Sequence, residues 1–309
     1  MGDISPRIIY PIFIGNIINH NTTTINMKNI CATCYTIDYD HPVLASVHKR
    51  PLWLQEQDFV QEFVSTITDF RIRKAPNYNQ KITLTLGKQH AGQKILYWAA
   101  NPKSTPESNL KIQDARQAYG NFANHGVASV NSEGTAIVYL QCPQPYKTTM
   151  NRKTKAEPFY RHLHFVYSDP LKKAWKFKLY TQVMICELTK EQIANRLSSG
   201  YSVVLNTLPA EYYAKEHIPN SYNLHHEKIK SMSVKQLEQW MKEVIERNYP
   251  KLWKHVKKGA ICLAEVPIVS YCAHSKCNAS HLATYELMKK GFVNVEIYPG
   301  GMKEWGNHN

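Results

Sequence analysis

The sequence has no long hydrophobic run and no regular cysteine framework. No apolar stretch approaches the roughly 18 residues of a membrane span, so we expect no membrane partner. The first residues, MGDISPRIIYPIFIGNII, lack a basic leader and are interrupted by Pro11 and Gly15, which predicts a strand and not a signal peptide. The seven cysteines have no framework spacing, which argues against a secreted disulfide scaffold and favours the cytoplasm or another reducing compartment.

Two further signals are weak. Cys31 and Cys34 form a lone C-x-x-C without a second pair at zinc-site spacing, so a structural role is favoured over a zinc or redox site. The net charge of +14 is concentrated in Lys147 to Lys155 and in Lys228 to Lys258. Such charge runs are usually solvated surface, and an acidic partner or nucleic acid stays open without a recognition motif to support it.

The length of 309 residues, with 43% hydrophobic and 20% charged residues, is typical of a soluble chain with two globular domains. We predict a mixed N-terminal extension over residues 1–75, with a helix between Leu54 and Ile67. Several short strand-like segments separated by turn residues predict an antiparallel β-sandwich over 76–185. A capping pattern at Thr189 and Gln192 predicts the start of a helix near the beginning of the second domain, 186–309. An amphipathic helix is expected in an insertion near 226–258, with apolar residues at Leu237, Trp240, Met241, Val244 and Ile245.

The stretch Val266 to Ser280, VPIVSYCAHSKCNAS, places one cysteine where a strand ends and a helix is about to begin. Loop amides between Ala273 and Cys277, together with the positive end of the helix dipole, would favour a thiolate at Cys272. A thiolate is the nucleophile of sulfur exchange. The alternative is an inert cysteine packed at a strand end.

This stretch resembles the active-site loop of the rhodaneses, in the variant with Cys272, Cys277 and Asn278 as Cys, four residues, Cys-Asn. Upstream, the Glu211-Tyr212 pair and the His217-Ile218-Pro219 turn are similar to family motifs, as is KGFVNVEIYPGGMKEW downstream. The resemblance implies an α/β rhodanese-like domain with a parallel sheet. It also implies a sulfurtransferase that needs no cofactor, in which Cys272 takes sulfur from a small donor, thiosulfate or a persulfide, and passes it to a thiol acceptor.

The resemblance also assigns the loop around this cysteine. Its donor-binding residues would be Ala273, His274, Ser275 and Lys276. Cys277 stands where many members have arginine, and it would act either as a resolving thiol or as a packing residue. Asn206 and Leu208 replace the Asp-x-Arg pair that usually follows the first core strand, so an internal ion pair is absent.

In the predicted sandwich, Arg161-His162-Leu163-His164-Phe165 contains an H-x-H pair. On a strand, residues i and i+2 face the same side, so both imidazoles would point at one spot. Paired imidazoles suit zinc, copper or iron. Histidines retained as hydrogen-bonded core residues are the alternative.

The segment from Gln93 to Gln182 resembles the intradiol ring-cleavage dioxygenases, through QKILYWAANP, QAYGNF, VNSEGTAIVYLQCPQPY, RHLHF and LYTQ in family order. The resemblance implies a non-haem Fe(III) ion held by Tyr119, Tyr146, His162 and His164, with Gln182 behind the ligands or beside the substrate. The family's arginine lies three residues before the first histidine, whereas Arg161 is adjacent to it and should face the opposite way.

Three functions follow from these patterns. The first is a rhodanese-type sulfurtransferase fused to a dioxygenase-like sandwich. The second is an iron dioxygenase with the rhodanese-like domain as an accessory. The third is a catalytically inactive protein that binds an acidic partner.

Overall fold

The computed structural model describes residues 58–148, 157–169 and 171–306, all within one compact unit, Cys31–Asn309. The strand predicted near Ile8, the pair Cys31 and Cys34, and most of the basic stretch Lys147 to Lys155 lie outside these ranges. Among the described residues, no helix is both long and apolar enough to cross a membrane.

The N-terminal region, 58–185, is built mainly from short antiparallel strands, as predicted. The elements in chain order are α1 (Asp58–Thr66), β1 (Gln80–Thr85), β2 (Lys94–Ala99), β3 (Gln113–Asp114), α2 (Ala115–Tyr119), β4 (His125–Ser129), β5 (Thr135–Leu140), β6 (Tyr146–Thr148), β7 (Glu157–Phe159), β8 (His162–Asp169), β9 (Ala174–Trp175) and β10 (Tyr180–Val183). One sheet has the order β10-β8-β2-β4 with β9 paired to β8, β1 pairs with β5, and a small sheet has the order β3-β6-β7.

The central strands of this region are buried on both faces. In β2, Ile95 and Tyr97 join the apolar cluster against β1 and β5, while Leu96 and Trp98 join a second cluster that includes α1 and α2. Period-two alternation divides the strand in this way, since successive side chains point to opposite faces. The outer strand β5 alternates between buried and more exposed residues, because its outer face has no such cover.

The C-terminal region, 186–306, alternates strands and helices. The elements are β11 (Cys186–Glu187), α3 (Lys190–Ser199), β12 (Val203–Asn206), α4 (Ala210–Lys215), β13 (Tyr222–Asn223), α5 (His226–Ser231), α6 (Val234–Asn248), α7 (Pro250–Lys257), β14 (Ile268–Tyr271), α8 (Ala279–Lys289), β15 (Val295–Tyr298) and α9 (Gly301–Gly306). The five strands form a parallel sheet in the order β11-β15-β14-β12-β13. This confirms the predicted α/β class with a parallel sheet.

Capping sequences fix the helix starts of this region. Thr189 and Gln192 form a reciprocal capping box at the start of α3, and Ser233 and Gln236 form one at the start of α6. The predicted stripe on α6 is confirmed, because Leu237, Met241 and Ile245 are fully buried in the cluster around the parallel sheet. Burial of this face supplies most of the stability of such a helix.

A buried charge network joins the two regions. The carboxylate of Glu296 on β15 lies 3.6 Å from Arg161 and 3.1 Å from Arg196, and Arg161 also donates to the side chain of Asn294 at 2.7 Å. A disulfide bonds Cys142 to Cys186 beside this network; the cysteine spacing did not predict it. Arg161 therefore faces away from its neighbour His162, as strand alternation predicted.

Loss of the shared carboxylate should destabilise the whole chain. Glu296→Gln leaves Arg161 buried without its counter-charge, so we expect the free energy of unfolding to fall by about 3 kcal/mol. Chemical denaturation monitored by tryptophan fluorescence measures this change. Glu246→Gln, on an exposed face of α6, is the matched control and should cost less than about 0.5 kcal/mol. Equal effects of the two substitutions would contradict a central role for Glu296.

Candidate functional site

Cys272 follows β14 directly and is fully buried. Its neighbours in a small apolar cluster are Leu208, Cys277 and Ala279. Helix α8 begins at Ala279, so the cysteine lies at the carboxyl end of a parallel strand and before a helix N-terminus, as predicted. Ligand and active sites of open α/β sheets occur at this edge of the sheet.

The surroundings of this cysteine contain both acceptors and donors. The carbonyl oxygen of Cys277 lies 3.2 Å from the Cys272 sulfur and favours the protonated thiol. The Cys277 thiol donates to the same sulfur, and the Ser280 hydroxyl lies 3.5 Å away. Donation from Cys277, followed by hydrogen bonds from Ser280, outweighs burial and lowers the pKa of Cys272 to about 7. The proton stays on Cys277, whose pKa is raised by the same contact and by burial.

The residues predicted to bind a donor lie on one loop with unequal exposure. Ala273 and His274 are half-buried, whereas Ser275 and Lys276 are exposed. The His274 ring nitrogen Nδ1 accepts from the Lys276 amide at 3.3 Å, which closes the loop on itself. Solvent therefore reaches the tip of the loop but not the sulfur of Cys272.

Two residues of the loop environment were not predicted. Ser280 lies in the quoted active-site stretch, but only its contact with the Cys272 sulfur gives it a role. Gly301 has a positive φ of 59°, and a Cβ there would overlap the Cys272 carbonyl oxygen and the backbone of Ala273. The G-G pair before the closing tryptophan was visible in the sequence, whereas its contact with the loop was not.

Helix α9 fixes the loop through its first turn. The amide of Met302 donates to the Cys272 carbonyl at 3.0 Å, and the amide of Lys303 donates to Ala273 at 2.9 Å. Asn206 takes the first position of the missing Asp-x-Arg pair, and its side-chain oxygen accepts from the Leu208 amide at 3.0 Å. A neutral hydrogen bond thus stands where the sequence resemblance implied that an ion pair is absent.

The four predicted iron ligands also meet, in a second cluster of the N-terminal region. The Tyr146 hydroxyl lies 2.8 Å from the Tyr119 hydroxyl, 2.7 Å from His162 Nε2 and 3.4 Å from His164 Nε2. The two Nε2 atoms are 3.2 Å apart. All four side chains are almost completely buried. Strand β8 supplies both histidines, while α2 and β6 supply the tyrosines.

Hydrogen bonds orient the imidazoles of this cluster. His162 Nδ1 lies 2.6 Å from the Tyr160 carbonyl, to which it donates, so its Nε2 lone pair faces Tyr146. His164 Nδ1 lies 2.9 Å from the Thr181 hydroxyl. Burial lowers the pKa of His162 to about 4 and raises the pKa values of both tyrosines. Gln182, which the resemblance placed behind the iron ligands or beside the substrate, donates to the Val183 carbonyl on β10.

The basic stretch Lys228 to Lys258 covers α5, α6 and α7. Glutamates accompany the basic residues of α6, whereas α7 has lysines and no acidic residue. Lys230 lies 3.9 Å from Glu227 in an ion pair. Such charge runs are typical of a solvated surface. Binding of an acidic partner or nucleic acid stays a prediction.

Gly301→Ala tests the packing of α9 on the loop. The added Cβ strains a positive φ and overlaps the loop backbone, so we expect a loss of about 3 kcal/mol in unfolding free energy. Gly259→Ala is the control, because Gly259 has a φ of 67° and no atom within 4 Å of the added Cβ; it should cost about 1 kcal/mol. Thermal denaturation of both variants measures the difference, and equal losses would contradict the close contact.

Solved structures that resemble this chain include a single-domain sulfurtransferase from Saccharomyces cerevisiae, with 16% identity over 40% of this chain and 89% of that chain and a TM-score of 0.29. A human single-domain sulfurtransferase is 18% identical over 41% of this chain and 99% of that chain, with a TM-score of 0.30. A protein from Bacillus halodurans is 22% identical over 39% of this chain and 71% of that chain, with a TM-score of 0.27.

No curated protein sequence matches this chain. The comparisons give no support to the resemblance of the N-terminal region to intradiol dioxygenases. The family model that matches is the rhodanese-like domain, and it covers residues 189–308, including Cys272 and its loop. Residues 189–308 therefore form a rhodanese-like domain.

Proposed function

We propose that this protein transfers sulfur through a persulfide on Cys272. The observation that carries the proposal is the environment of the Cys272 sulfur, where thiol and hydroxyl donors stabilise a thiolate at the carboxyl end of β14. A thiolate available near neutral pH is the requirement for attack on sulfur. The rhodanese-like domain is consistent with this chemistry.

In the first step, the Cys272 thiolate attacks the outer sulfur of thiosulfate or of a persulfide. A bond forms between Cys272 Sγ and that sulfur, the bond from that sulfur to the rest of the donor breaks, and sulfite or a thiolate leaves with the electron pair. In the second step, an acceptor thiolate attacks the outer sulfur of the Cys272 persulfide and regenerates the thiolate. Because Cys272 is buried, the exposed part of the loop, Ser275 and Lys276, must move to admit the donor. Lys276 supplies positive charge at that entrance.

Cys277 offers a second way to discharge the persulfide. Its thiol already contacts the Cys272 sulfur. Attack of a Cys277 thiolate on Cys272 Sγ would form a Cys272–Cys277 disulfide and release hydrosulfide, and an external thiol would then reduce the disulfide. The raised pKa of Cys277 makes its thiolate scarce, so we expect transfer to an external thiol to be the faster route.

Mass spectrometry of the intact protein tests the persulfide. After treatment with thiosulfate or a small persulfide, the wild type should gain the mass of one sulfur atom, located on the peptide that contains Cys272. Cys272→Ser should gain none, because serine is not a nucleophile toward sulfane sulfur at neutral pH. Cys262→Ser removes a free cysteine outside the loop and should behave as the wild type. Full transfer activity in Cys272→Ser would refute the mechanism.

The pH dependence of Cys272 alkylation tests the role of Cys277. In the wild type, the rate with iodoacetamide should rise with pH, with its midpoint near pH 7 and a plateau at higher pH, because the reactive thiolate forms at a pKa of about 7. Cys277→Ala removes the main donor, so the midpoint should move to higher pH. Peptide-level mass spectrometry follows Cys272 specifically, with Cys262→Ala as the control. An unchanged midpoint in Cys277→Ala would show that Cys277 does not set the pKa.

A second candidate function is binding of a ferric ion by Tyr119, Tyr146, His162 and His164. The specific observation in its favour is the convergence of the four donor atoms, with neighbouring donors 2.7 to 3.4 Å apart. Donors about 3 Å apart suit one ion with ligand bonds of about 2 Å. Among the described residues, no group of three His, Cys, Asp or Glu side chains could hold a metal, so this candidate depends on the tyrosines.

The orientation of His162 also fits a ligand. Metal-binding histidines usually donate the second ring nitrogen to a carbonyl or carboxylate, as His162 does to Tyr160. Phenolates stabilise the ferric state, and a ferric ion there would supply Lewis acidity. Arg161 is held by Asn294 and Glu296 and faces away from the cluster, so it is not placed to bind a substrate there. Ring cleavage therefore has less support than metal binding.

Metal analysis with visible spectroscopy decides this second candidate. Protein purified without added metal or chelator should contain about one iron per chain and show a broad tyrosinate-to-iron band. Tyr146→Phe should lose both. Tyr167→Phe is the matched control, because Tyr167 is a buried tyrosine outside the cluster. A colourless wild-type protein without iron would identify the cluster as a hydrogen-bonded core, in which Tyr119 donates to Tyr146 and Tyr146 donates to His162.

A further inference from the structure

A polar cavity lies where the N-terminal region meets the rhodanese-like domain. The N-terminal region contributes Lys103, Gln144 and Arg161 to its wall, and the C-terminal region contributes Arg196 and Glu296. The cavity is separate from both candidate sites described above. Glu296 is on β15, whose neighbour β14 leads into the Cys272 loop at the other end of the sheet.

The charged groups of the wall are predominantly positive. Lys103, Arg161 and Arg196 face a single carboxylate, that of Glu296. Glu296 pairs with both arginines, and their side chains are 3% and 15% exposed, so solvent screens them poorly. The wall carries two positive charges in excess, which creates an attractive potential for anions.

Hydrogen-bond donors remain available in this wall. The Arg161 Nε group is buried and has no partner among the described residues, although the other nitrogens of that guanidinium donate to Val295 and Asn294. The Lys103 ammonium donates to Gln113 at 2.8 Å and keeps further protons free. A buried N–H group without a partner costs free energy, which a bound acceptor would recover.

Two acceptor atoms in the wall also lack a hydrogen bond. The buried Oε1 atom of Gln144 and the buried Oε2 atom of Glu296 have no hydrogen-bond partner among the described residues, although Glu296 Oε2 lies 3.1 Å from the Arg196 guanidinium. Each would accept from a water molecule or from the hydroxyl of a protonated oxyanion. The cavity thus presents several donors and two acceptors, a pattern that suits a small, partly protonated anion with its water.

The size of the cavity limits the ligand. About 80 Å³ is open to water-sized molecules, whereas one water needs about 10–15 Å³. This space admits one small tetrahedral or pyramidal anion with a few waters, but not a nucleotide or an aromatic ring. Lys103 and Arg196 are only partly buried, so an ion can enter from solvent.

We propose that this cavity binds a small inorganic oxyanion, of the sulfate, sulfite or phosphate type, between the two regions. The guanidinium of Arg161 and the ammonium of Lys103 contact the anion from one side, and the guanidinium of Arg196 contacts it from the other. Charge-assisted hydrogen bonds from guanidinium and ammonium groups are the stronger contacts to oxyanions. Because the ligand touches both regions, its binding stabilises their contact.

Isothermal titration calorimetry on the full-length protein tests the proposal with sulfate, sulfite and phosphate at low millimolar concentration. Chloride at matched ionic strength is the reference for general salt effects. We expect saturable binding of at least one oxyanion and none of chloride. Preference for sulfite and sulfate would identify a sulfur oxyanion as the ligand, and preference for phosphate would identify a phosphate.

Substitutions of the cavity residues test whether the oxyanion binds in this cavity. Lys103→Gln and Arg196→Gln should each weaken binding by about tenfold or more, because each removes a charged donor. Lys172→Gln changes the net charge equally at an exposed residue outside the cavity and should leave the affinity unchanged. The sulfur gain of Cys272 should persist in Lys103→Gln, which separates this proposal from the sulfur-transfer mechanism. Absence of oxyanion binding, or equal binding by all three variants, would overturn the proposal and identify the cavity as a hydrated interface.

Discussion

The buried carboxylate of Glu296 is the interaction on which the arrangement of the two regions depends. A buried charge is costly unless it is paired and hydrogen-bonded, and Glu296 meets Arg161 from one region and Arg196 from the other. The Asn294 side chain and the Val295 carbonyl accept hydrogen bonds from the two terminal nitrogens of Arg161. The same strand, β15, pairs along its length with β14. Docking of the regions and the position of the cysteine loop thus depend on one strand.

The cysteine loop illustrates how backbone packing can support chemistry. Amides of α9 hold the carbonyls of Cys272 and Ala273, and this contact requires a glycine at position 301. With the backbone fixed, Cys277 and Ser280 are close enough to donate to the Cys272 sulfur. Cys277 lowers the pKa of Cys272 through a thiol hydrogen bond, at the position where the sequence resemblance implied an arginine in many members of the family.

The tyrosine and histidine cluster has a geometry that suits two chemical states. Donors at 2.7 to 3.4 Å can share protons in a chain that starts at Tyr119, passes through Tyr146 and ends at His162. The same separations suit ligands around one ion. Burial raises the pKa values of the two tyrosines, which favours the protonated chain until a cation compensates the phenolate charge.

The sequence by itself determined the local features of this protein. Period-two alternation put His162 and His164 on one face of β8, and the capping pairs fixed where α3 and α6 begin. The strand and helix patterns also placed Cys272 correctly, since each depends on neighbours within a few residues. Tertiary structure alone decided the contacts between distant segments, among them Cys142 with Cys186, Arg161 with Glu296, and Gly301 with the loop. Such contacts depend on how sheets and helices pack, and the periodicity of a single segment contains no information about the partner it will meet.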